Sequence, residues 1–132
     1  MIGLDTNILI RYLTQDDPLL APKATSLIER HLSLENPGYV SVVTVAEVAW
    51  VLDRSYSFSR LQISEAIDYI LAADVLMVEH REHVFAAMAM LQENLGDFAD
   101  VLISRLAEEA GCAHTVTFDR RAGRLPGFKL LS

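Results

Sequence analysis

The chain is 132 residues long and 52% hydrophobic, with 11 basic and 18 acidic residues for a formal charge of −7. That length fits one domain, residues 1–132, and no apolar run approaches the roughly 18–20 residues of a bilayer span, which excludes a membrane helix. The opening MIGLDTN lacks the basic stretch of a signal peptide, and the single cysteine, Cys112, excludes an intrachain disulfide, so a cytoplasmic location is expected, with Cys112 a small buried hydrophobe.

In chain order, Ile2–Leu4 reads as an apolar strand closing at Asp5, and Thr6–Leu13 as a short helix. Leu19–Leu34 carries Leu20, Ala24, Leu27, Ile28 and Leu32 at helical spacing until Asn36-Pro37-Gly38 supplies turn chemistry. Tyr39–Val43 is a continuous apolar, β-branched run, as expected of a strand covered on both faces. Thr44-Val45-Ala46-Glu47 has the S/T-x-x-E form of a capping box, which predicts a helix to about Arg54 with Glu47 in its first turn. Trp50, with Val48, Val51 and Leu52, reads mostly as core, though such patches often become interfaces.

Ser59–Ala73 is a further helix, Val75–Val78 a short strand, and His83–Glu93 a helix whose Ala86–Met90 stretch suits tight packing. His80 and His83 have no further soft ligands nearby in sequence and read as surface histidines rather than a zinc site. Asp97 is a candidate cap for a last long helix, Phe98–Ala110, which Gly111 ends. His114–Phe118 is a strand followed by Asp119, and Phe128–Leu131 a short final one. Strands alternating with helices, through connections too long for hairpins, imply an α/β fold with a parallel sheet and helices on both faces.

In open parallel sheets ligands bind outside the carboxyl ends of the strands. Asp5 and Asp119 close two predicted strands, Glu47 follows another, and Asp97 and Asp100 open the last long helix. Each has a structural reading by itself: Glu47 completing a capping box, Asp97 an N-cap, Asp100 a dipole-favoured acid, Asp5 and Asp119 turn residues. Surface acids scatter, however, and these are all expected on one edge. Two carboxylates about 5 Å apart repel by roughly 3 kcal/mol at an effective dielectric near 20, so four require protons or a cation. Oxygen-only ligation suits Mg²⁺ or Mn²⁺.

The acidic charge is unusual for a protein that binds nucleic acid. With five acids assigned to a cation site, 13 remain against 11 basic residues, a balance of −2. Arg120, Arg121, Arg124 and Lys129 all fall in the last 13 residues, where they make a candidate basic rim.

Leu4-Asp5-Thr6-Asn7, Thr44-Val45-Ala46-Glu47, Asp97-Phe98-Ala99-Asp100-Val101-Leu102-Ile103 and Thr117-Phe118-Asp119 resemble the four acidic motifs of PIN domains, in the order and spacing of bacterial VapC-type toxins. The resemblance covers essentially the whole chain and implies a PIN-like three-layer α/β/α sandwich with a central, mainly parallel sheet. It implies Asp5, Glu47, Asp100 and Asp119 as the catalytic, metal-holding acids, with Asp97 an accessory. Asp100 fits better than Asp97 because it directly precedes the small-apolar run Val101-Leu102-Ile103. Thr6, Asn7 and Thr117 match polar positions that orient the acids. The implied activity is Mg²⁺-dependent hydrolysis of RNA, Mn²⁺ being the other candidate ion. Arg11, Arg120, Arg121 and Arg124 are candidate phosphate contacts. The expected partners are RNA, a small cognate antitoxin and a second copy of the chain.

Other readings fit less well. A haloacid-dehalogenase-type hydrolase needs a second Asp where Asn7 stands, and a response-regulator receiver needs a lysine where none lies between Lys23 and Lys129. A non-catalytic PIN-like scaffold binding RNA or protein does not need all these acids. A stand-alone RNA-processing PIN nuclease keeps them and is the serious rival.

Overall fold

Ile2–Gly3 (β1), Gly38–Val40 (β2) and Leu76–Val78 (β3) form a parallel sheet in the order β1-β2-β3 in the computed structural model, which describes residues 1–132. They belong to the first of two compact units, Met1–Arg81 and Glu82–Ser132. Gly38 pairs with both Ile2 and Leu76, which fixes the register. A side chain at Gly38 would meet the Leu4 and Leu32 side chains at 2.8 and 2.9 Å, so one at the start of this central strand would force those leucine ends to shift.

Helices α1 (Thr6–Thr14) and α2 (Leu20–Ser26) carry the chain from β1 to β2, and α3 (Val42–Tyr56) and α4 (Arg60–Ala72) carry it from β2 to β3. Parallel neighbours require such crossovers. The helix predicted from Leu19 is α-helical to Ser26, then widens to a π-helical turn, Leu27–His31, closed by the Leu32 N–H donating to the Leu27 carbonyl at 3.0 Å. Ala21, Ala24, Ile28 and Leu32 still share a buried stripe across the change.

The run Tyr39–Val43 departs from expectation. The strand ends at Val40, and Ser41 caps α3 by accepting from the Thr44 N–H at 3.2 Å. Val42 and Val43 are therefore helical, Thr44 is not the cap, and Glu47 lies in the second turn. The strand preference of β-branched residues is overridden here by a good cap and a buried helix face. That face is Val45, Val48, Ala49 and Leu52. Trp50 lies about 200° round the helix from Val48 and is 58% exposed, so it is not core; the Arg54 guanidinium sits 5.8 Å from its ring centroid. α4 opens with a capping box, Ser59 with Gln62, worth about 1 kcal/mol.

In the second unit, α5 (Arg81–Gln92) buries Val84, Ala87, Met88 and Leu91, and α6 (Phe98–Glu109) buries Phe98, Val101, Leu102 and Ser104. Gly111, at φ +100°, ends α6 as expected, but Cys112 beyond it is exposed rather than buried, because it falls in the turn and not on a packed face. β4 (Thr115–Thr117) pairs in parallel with β5 (Phe128–Leu130) in a two-stranded sheet, the short 3₁₀ helix Ala122–Arg124 lying between them in sequence. No helix is long and apolar enough to cross a membrane.

Candidate active site

In the first unit, β1 delivers Asp5 to the N-cap of α1, where its carboxylate accepts from the Thr6 N–H at 2.7 Å. Thr6 is 7% exposed, and its hydroxyl donates to the Glu47 carboxylate across 41 residues of sequence. One buried threonine thus ties the strand-end acid to the acid on α3. Glu47 is thus bound by Thr6 and takes no part in capping α3, whose cap is Ser41. Asp5, Asn7 and Glu47 line an open cleft of about 430 Å³, with Arg11 and Tyr56 on its wall.

Arg11 is engaged. Its guanidinium donates to both carboxylate oxygens of Asp16 at 3.1 Å and to the Tyr56 hydroxyl at 3.3 Å. Asp16 also accepts from the Tyr56 hydroxyl at 2.6 Å and the Thr14 hydroxyl at 2.8 Å. Those hydrogen bonds, Tyr56 first, hold the Asp16 carboxyl down at about 2. The contribution of this network to stability is therefore present at neutral pH and is lost as pH falls through about 2. A phosphate reaching Arg11 competes with Asp16. Sequence reading missed both Asp16 and Tyr56, which lie 40 residues apart with no shared local signal.

In the second unit, Asp97 takes the N-cap position of α6 without a side-chain capping bond, and Asp100 follows in the first turn. Asp119 ends the segment after β4. One of its oxygens accepts from the Arg121 and Ala122 N–H groups at 2.8 and 3.3 Å, while the Thr117 hydroxyl accepts from the Asp119 N–H at 3.0 Å. Thr117 thus contacts the Asp119 backbone, not its carboxylate. Burial pushes the Asp100 carboxyl above its ordinary range, the charges of Asp97 and Asp119 push it further, and Arg121 opposes them. Asp100 thus feels the charges of both other acids of this unit. Arg120, Arg121 and Arg124 are exposed.

His83 is not the bare surface histidine the sequence suggested. Arg105 Nε donates to its Nδ1 at 3.0 Å, which leaves the ring proton on Nε2, facing Glu109 at 3.0 Å. Glu109 and Arg105 lie 26 and 22 residues from His83, so no local motif announced the contact.

The family model described as PIN domain matches residues 2–127, which run through both units. A VapC ribonuclease from Aquifex aeolicus (strain VF5) is 26% identical over 132 residues, spanning 98% of this chain and 94% of its own. Together with parallel strands alternating with helices, the family match bears out the PIN-like α/β/α class.

Proposed function

The chain belongs to the PIN domain family, and from that premise we propose that it is an Mg²⁺-dependent endoribonuclease, the toxin of a toxin–antitoxin pair, with residues 1–132 acting as one catalytic domain. The observation that carries the reading is the Asp97, Asp100 and Asp119 group, in which the Asp100 carboxyl is driven up by burial and by its neighbours' charges. Such a group is relieved by a cation, and donors that are all oxygen fit Mg²⁺, with Mn²⁺ an alternative.

Asp5, Glu47, Asp100 and Asp119 are the proposed metal-holding and catalytic acids, with Asp97 an accessory. When bound, the cation would supply Lewis-acid polarisation of the phosphate and of water. The chain's own residues do the rest. Thr6 orients Glu47, and Thr117 together with the Arg121 and Ala122 N–H groups fixes Asp119. Asn7 offers a polar side chain in the cleft beside Asp5. One carboxylate orients the attacking water and accepts its proton. Arg120, Arg121 and Arg124, and Arg11 once released from Asp16, contact flanking phosphates.

No histidine pair serves a 2′-hydroxyl attack in this scheme, so the expected products carry 5′-phosphate and 3′-hydroxyl ends. Purified protein incubated with total RNA, with Mg²⁺ or with EDTA, followed by mapping of the new ends, tests both activity and chemistry. Mainly 2′,3′-cyclic phosphates, or equal cleavage in EDTA, would sink the mechanism.

The likeness to a VapC ribonuclease supports RNA as substrate; a cytoplasmic location, a homodimer and a small antitoxin partner complete the proposal. An antitoxin arginine reaching the carboxylates would bond two oxygens with one planar fork and compete with the cation. Co-expression with the adjacent reading frame is expected to give a complex and to abolish cleavage. A neighbour that neither binds nor inhibits would transfer the assignment to a stand-alone RNA-processing nuclease.

A further inference from the structure

Phe118 is the most exposed aromatic of the chain at 81%, and it stands immediately before Asp119. Its surroundings are unlike the rest of this acidic protein. Residues 113–132 hold one acid, Asp119, against Arg120, Arg121, Arg124 and Lys129, a local charge of +3 within a chain of −7. The side chains of Arg120, Arg124 and Lys129 have no hydrogen-bond or ion-pair partner. The sheet beneath is open on one face. Val116 and Lys129 are register partners and so project to the same side, and both are exposed; Phe118, in the bend that follows β4, is exposed too. On β5 the adjacent Leu130 is instead approached by Gly123 of the 3₁₀ helix, where an added Cβ would lie 3.2 Å from the Leu130 Cβ.

A short sheet with an exposed aromatic ring, an apolar neighbour and unpaired cations matches the physical requirements of a single-stranded nucleic-acid platform. Every base offers a π face to the ring, and the cations meet the phosphates. A protein partner would have to cover the same unpaired cations with acids, whereas RNA brings one negative charge per nucleotide. We infer that Phe118 stacks on a base of the RNA strand next to the bond cut, with Lys129 on the adjoining phosphate, so that Phe118 positions the substrate beside Asp119. The inference rests on the nuclease reading and names the residue that holds a base within that site.

The test is fluorescence anisotropy of a labelled, mixed-sequence single-stranded 12-nucleotide RNA in EDTA, with the full chain as wild type, Phe118→Ala and Phe118→Tyr. Phe118→Ala is expected to raise Kd about tenfold, the worth of one stacked base, and Phe118→Tyr to restore it. With Mg²⁺ the alanine variant should raise KM for the same RNA and leave kcat near wild type. A ribose-phosphate strand without bases should bind wild type and Phe118→Ala alike. Circular dichroism of both variants should match wild type, since the ring is exposed. Equal Kd for wild type and Phe118→Ala, or no binding of RNA by wild type, overturns the inference. So does a loss of self-association or of antitoxin binding in Phe118→Ala with RNA affinity unchanged, which would make the face a protein contact. The nuclease reading fails separately, if wild type does not cleave total RNA in Mg²⁺.

Discussion

Asp5→Asn, Glu47→Gln and Asp100→Asn are each expected to lower RNA cleavage at least about 100-fold, because loss of even an outer group around a metal ligand costs about 10–100-fold. Thr6→Val should fall within that lesser range, since it removes the hydroxyl that orients Glu47 and leaves the carboxylate in place. Stability should move the other way for Asp100→Asn. The folded protein holds the Asp100 carboxyl above its ordinary range, so the ionised form is disfavoured by folding. The resulting destabilisation is absent below the unfolded carboxyl's range and grows as pH rises through the folded value. Asp100→Asn should therefore melt above the metal-free wild type at pH 7 and alongside it at pH 3. Added Mg²⁺ should raise the melting temperature of wild type and move that of Asp100→Asn far less. Wild-type cleavage in any of the three acid variants, with matched circular dichroism, would falsify the assignment.

Gly127→Ala is expected to be the most damaging conservative change outside the acids. Gly127 has φ +84°, in the left-handed region that costs an L side chain about 1–2 kcal/mol. An added Cβ would also lie 2.2 Å from the Ser104 Oγ, and that hydroxyl is buried and already donates to the Pro126 carbonyl at 3.0 Å. Overpacking of this kind costs about 1–3 kcal/mol. The combined loss of about 2–5 kcal/mol should appear as a lower urea midpoint with an unchanged slope. Ser104→Ala in the same chain should recover part of it by making room. Since the Gly127 carbonyl accepts from the Thr115 N–H at 2.7 Å, the strain enters the strand that leads to Asp119. Cleavage should suffer beyond the fraction of protein unfolded. A Gly127→Ala midpoint equal to wild type would show that α6 and the Gly127 turn can separate without cost.

The elements were largely legible because their signals are local. Helical spacing in Ser59–Ala73 and Phe98–Ala110, a turn at Asn36-Pro37-Gly38 and a glycine at position 111 each act within a few residues. The same locality explains the error at Thr44. Ser41 and Thr44 both offer a capping oxygen, and the choice fell to Ser41 because it lets Val45, Val48, Ala49 and Leu52 be buried together. Trp50 was misjudged for a related reason: hydrophobicity says that a side chain gains from burial, while its angle on the helix decides whether it is buried.

The sequence by itself determined the α/β class and the family, because order along the chain and residue type carry that information without distances, and it supplied the acids that the proposal above assigns to the site. Tertiary structure decided what each acid touches. It put the Thr6 hydroxyl on Glu47, engaged Arg11 with Asp16 and Tyr56, grouped Asp97, Asp100 and Asp119, and left Phe118 in solvent beside unpaired cations. Several of these, such as Thr6 with Glu47 and Arg11 with Tyr56, join residues 41 and 45 positions apart, and are fixed by how helices and strands pack. A carboxylate's charge state and a ring's accessibility depend on that packing through burial and neighbouring charge, and no stretch of sequence specifies either alone.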